Sequence, residues 1–92
     1  MTSYEQHVIK YAVAHPDGRM PFRHGWMLLN TPEKKKCFTD LKKLFGVETY
    51  ESIRTRIAGS KRTKLTVAEA IRVGRYFYEE FNINNPWGDD EL

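Results

Sequence analysis

The sequence predicts an all-α protein, a small bundle of four main helices over residues 3–15, 32–45, 49–58 and 66–82. Three observations carry this. Apolar residues recur at helical spacing in four separate stretches, side chains suited to helix N-caps stand at the head of each, and Gly46, Gly59 and Asn82 stand where three of them should stop. At 92 residues, 40% hydrophobic and 13% aromatic, the chain is long enough for one domain with a real core.

The first helix opens at Ser3, whose hydroxyl can cap while Gln6 reaches back, and Tyr4, Val8, Tyr11 and Ala12 follow on one face. Pro16, Asp17 and Gly18 end it in a turn. From Arg19 to Asn30, Pro21 and Gly25 interrupt the chain and no clean period survives, so the segment reads as irregular. Its Met20, Phe22, Trp26, Met27, Leu28 and Leu29 are too apolar for a solvated loop, which predicts an extended arm or hairpin packed across the helices, or a dimer contact.

Thr31 as N-cap and Pro32 at the first helical position open the second helix. Cys37, Phe38, Leu41, Leu44 and Phe45 form its buried stripe, lysines take the other face, and Gly46 caps its end. After only Val47 and Glu48, Thr49 caps a short third helix whose inward row is Tyr50, Ile53 and Ile57. A basic loop from Gly59 to Leu65 follows. Thr66 and Glu69 then form a capping box for the long fourth helix, on which Val67, Ala70, Ile71, Gly74, Phe77, Tyr78 and Phe81 keep the 3.6-residue period. Gly74 on that stripe predicts a close helix approach. Ile83 and Trp87 should fold back on the core, leaving Asp89 to Leu92 as an acidic tail.

Charge is concentrated in the middle of the chain. Residues 31–64 hold ten basic groups against four acidic ones, a net of +6, whereas residues 1–30 carry +1 and residues 65–92 carry −4. A polyanionic partner for the middle segment is one expectation, and a merely soluble lysine-rich face is the other. The run Lys34-Lys35-Lys36 lies in the first turns of its helix, where the dipole disfavours cations and an external anion would offset that cost.

Catalysis is not expected. His7, His15 and His24 are spaced for neither a zinc site nor a triad, the glycines are isolated rather than gathered in a phosphate loop, and Cys37 sits on an apolar stripe as a small hydrophobe. No metal or cofactor is implied. The longest apolar run, Trp26 to Leu29, is far too short to span a bilayer, and a single cysteine suits a reducing compartment, so the cytoplasm is expected.

The stretch Leu41-Lys42-Lys43-Leu44-Phe45-Gly46-Val47, the helix from Thr49, the Gly59-Ser60-Lys61 loop and the helix from Thr66 resemble lambda-repressor-like helix-turn-helix DNA-binding domains over about residues 37–83. Two positions depart from that pattern. Lys42 stands where a small residue is usual, and the apolar position inside the recognition helix is Ile53, one residue late; a turn longer by one residue or a shifted register accounts for both. The resemblance divides the chain into an N-terminal helix with an apolar arm (1–30), a helix-turn-helix core (31–83) and a C-terminal turn and tail (84–92). It implies a small transcriptional regulator of phage, mobile-element or bacterial type.

In such a domain the recognition helix fits the major groove, apolar residues inward and polar ones toward the bases. Base contacts then fall to Ser52, Thr55 and one or both of Arg54 and Arg56, while Thr49 meets a phosphate at the helix N-terminus. Lys42, Lys43, Lys61, Arg62 and Lys64 are the expected phosphate contacts. Arg54 is also spaced to pair with Glu51 on its own helix. A lone domain of this size buries little DNA contact area, so a homodimer through residues 1–30 or 83–87 would supply affinity. The alternatives are a protein-interaction module gripping a host protein through the apolar Met20–Leu29 segment, and a binder of structured RNA.

Overall fold

The computed structural model describes residues 2–58 and 64–88. Five helices make up the fold, α1 (Ser3–Ala14), α2 (Arg23–Met27), α3 (Thr31–Phe45), α4 (Tyr50–Ala58) and α5 (Val67–Phe81), with no strand among the described residues. None of these helices is long and apolar enough to cross a membrane.

Local chemistry explains most of the boundaries. Thr66 accepts the Glu69 N–H at 3.1 Å while the Glu69 carboxylate accepts the Thr66 N–H at 3.0 Å, closing the capping box of α5, and Asn82 ends that helix in the left-handed region at φ 56°. Gly46 ends α3 the same way at φ 66°, and the Val47 N–H turns back to the Lys42 carbonyl at 3.0 Å. At two N-termini the cap lies one residue before the position the sequence suggests. Thr2, not Ser3, caps α1 by accepting the Glu5 N–H, and Asn30, not Thr31, caps α3 in a reciprocal pair with Glu33 at 2.9 Å in each direction. Asn30 and Glu33 make a full capping box, whereas the Thr2 hydroxyl donates to the Glu5 carboxylate at 2.8 Å, and in both cases the expected cap becomes the first helical residue.

The segment read as irregular contains α2, one turn of helix that is too short to display a period. It is held from outside. The Gly25 N–H donates to the Pro86 carbonyl at 2.8 Å, and a Cβ on Gly25 would lie 2.6 Å from Pro86 Cβ and 2.9 Å from its Cα, so only glycine lets the C-terminal turn come this close. That turn carries Trp87 into the core, as the sequence suggests, against Tyr11 and Phe22.

Helix α1 lies along α5. Gly74 makes the approach possible, since a Cβ there would stand 3.2 Å from Val8 Cγ2. Met20, Phe22 and Leu29 fill the space between this pair and α3–α4, together with Cys37, Leu41, Ile53, Val73 and Phe77. Cys37 is fully buried, and burial pushes its thiol pKa up to about 12, so it acts as a small apolar side chain. Met27 and Leu28 depart from expectation and stay in solvent, as do Val67 and Tyr78 on α5.

Candidate nucleic-acid interface

The α3–α4 pair is joined by the short stretch 46–49. The Thr49 hydroxyl accepts the Ser52 N–H at 3.3 Å and donates to the Ser52 hydroxyl at 2.7 Å, which starts α4, while buried Ile53 and Ile57 fix its inner face. Lys42 and Lys43 line one shallow depression with Gly46, Val47 and Glu48, so the last turn of α3 sets two lysines and a glutamate beside the turn that leads into α4. Lys43 is exposed; Lys42 lies over the Phe38 ring, 5.1 Å from its centre.

The two arginines of α4 separate. Arg54 is exposed and makes a two-pronged pair with Glu51, at 2.6 and 3.1 Å, whose hydrogen bonds hold the Glu51 carboxyl below the usual carboxylate range. Arg56 instead folds back. Its guanidinium stacks over Phe45 at 5.0 Å and donates to the Ser52 carbonyl at 2.9 Å, so it braces α4 on α3. The Thr55 hydroxyl donates to the same carbonyl at 3.1 Å. Lys64 lies beside the turn after α1, packed on Gly18, where the next residue's N–H meets the Gly18 carbonyl at 3.1 Å. Lys61 and Arg62 lie outside the described residues. The structure thus gathers Lys42, Lys43, Thr49 and Ser52 around one turn, leaves Lys64 exposed beside Gly18, and engages Arg56 with Phe45 and the Ser52 carbonyl.

Tyr50, expected on the inner row, is 64% exposed, because its ring stacks on Phe38 at 5.1 Å rather than entering the core. Sequence reading missed what this creates. Trp26, Phe38 and Tyr50, from three different helices, line an open cleft of about 360 Å³ with Arg23, Lys34 and Arg54 on its margin. The one sign of it in the sequence is the run Trp26 to Leu29, too apolar for a loop and lacking a helical period.

No protein-family model, curated protein or solved structure matches this chain.

Proposed function

We propose that the chain binds duplex DNA through α3, the turn and α4, as a small regulator whose second copy would supply a second half-site. The observation that carries this reading is the shallow depression beside the turn into α4, lined by Lys42 and Lys43 with Gly46, Val47 and Glu48, immediately before Thr49 starts α4. Cations beside a helix N-terminus make a seat for a backbone phosphate, and phosphate contacts of this kind set the register of a helix in the major groove. Base reading then rests on the exposed side of α4, with Arg54 as its one long donor, released from Glu51 when a guanine edge replaces the carboxylate.

Fluorescence anisotropy of mixed-sequence duplex at low and physiological salt tests this, with Lys43→Glu/Arg54→Glu as the variant. Both positions are exposed, so the fold is spared, whereas Arg56→Glu would remove the brace on Phe45. Binding that falls steeply with salt and is lost in the variant is expected. Absence of binding at low salt, or equal binding by the variant, overturns the reading.

A further inference from the structure

The cleft between α2, α3 and α4 has an apolar floor and a cationic margin, on which Arg54 is paired with Glu51 and Arg23 and Lys34 have no carboxylate partner among the described residues. Ile53 and Ile57 close its base, Phe38 and Tyr50 form one wall and Trp26 the other, and Met27, 66% exposed, lines it as well. A second hollow, sharing Trp26, Lys34, Phe38 and Tyr50, extends the trough along α3 toward Thr39. Contiguous apolar surface of this kind marks an interaction site.

The charge around it is one-sided. Among the described residues no carboxylate pairs with Arg23, Lys34 or Lys35. Lys34 and Lys35 belong to the start of α3, where the helix dipole disfavours cations, and Glu33 is turned away to the Asn30 N–H. An acidic partner would relieve both conditions at once.

We propose that this trough docks an acidic amphipathic helix of a partner protein. Large apolar side chains at i, i+3 or i+4, and i+7 enter between Trp26 and Tyr50, and flanking Asp and Glu residues meet Arg23, Lys34 and Lys35. The cleft's volume suits one or two large side chains, and the adjoining hollow takes the next turn of the same helix. The aliphatic lining from Met27, Ile53 and Ile57 favours a protein segment over stacked nucleobases. The inference stands independently of DNA binding.

The test is selection of random 16-residue peptides displayed against the full chain, followed by titration of an enriched peptide into ¹⁵N-labelled protein. Enriched sequences are expected to be net acidic with large apolar residues at helical spacing, and shifts should cluster at the Trp26 indole, Met27, Lys34 and Tyr50. Met27→Ser/Tyr50→Ser and, separately, Arg23→Glu/Lys34→Glu should each weaken binding at least tenfold; the second pair carries the test alone if the first alters the melting curve. No enrichment, enrichment of basic or neutral peptides, shifts elsewhere, or equal affinity for oligo-dT overturns the proposal. Concentration-dependent Trp26 shifts without peptide would assign the trough to a second copy of the chain and overturn it too.

Discussion

The Tyr76 hydroxyl donates to Asp40 Oδ2 at 2.7 Å, and the same oxygen receives the Lys36 ammonium at 2.7 Å. Lys36 also reaches Glu80 at 3.1 Å and lies over the rings of Tyr76 and Phe81, so one polar cluster ties α3 to α5 at the border of the core. Through this tie the helix that carries Lys42 and Lys43 is held against α5.

Tyr76→Phe removes the hydroxyl from a carboxylate that remains in place. The expected loss is about 1.5 kcal/mol in urea unfolding, in the range for hydrogen bonds to charged groups. Tyr78→Phe, on the exposed side of α5, should change stability by less than about 0.5 kcal/mol.

Asp40 also gives stability a pH dependence. Partial burial opposes its ionisation, but the hydrogen bonds from Lys36 and Tyr76 outweigh this and hold its carboxyl below the ordinary 3.8. The unfolded chain therefore takes up the proton first. The stabilisation is fully present above the unfolded value and is lost as pH falls through the folded one. Urea midpoints compared at pH 7 and pH 3 should show a smaller acid loss in Asp40→Asn than in the native sequence.

Gly25→Ala should destabilise even though alanine is the better helix former. The added Cβ meets the Pro86 backbone at 2.9 Å, which a side-chain rotation cannot relieve, and the Gly25 N–H to Pro86 bond is strained with it. A loss of about 2 kcal/mol is expected from such overpacking. A rise in Trp fluorescence exposure should accompany it, because Trp87 follows Pro86 into the core.

Arg54 and Arg56 should differ in what they do for the fold. Arg56→Gln forfeits the stacking on Phe45 and should cost about 1 kcal/mol in thermal or urea unfolding. Arg54→Gln breaks only an exposed pair with Glu51 and should leave the unfolding midpoint essentially unchanged. Equal losses at the two positions would contradict the separation of their roles.

The features legible in the sequence are those made by groups within about one helical turn of each other. The box of Thr66 and Glu69, the left-handed stops at Gly46 and Asn82, the stripes of α3 and α5 and the close approach at Gly74 are all of this kind, because capping and helical periodicity act over three or four residues. Of the candidate DNA-binding residues, Lys42, Lys43 and Thr49 could be placed beside one turn for the same reason. Tertiary structure decided the rest. Helix α2 exists through a backbone bond to Pro86, Arg56 is taken up by Phe45, and Trp26, Phe38 and Tyr50, each a dozen residues from the next, meet only when three helices pack. Nothing local distinguishes a Tyr50 that enters the core from one that stacks at its edge; the outcome follows from the space that Ile53, Ile57 and Leu41 have already filled and from the Phe38 ring left uncovered beside them.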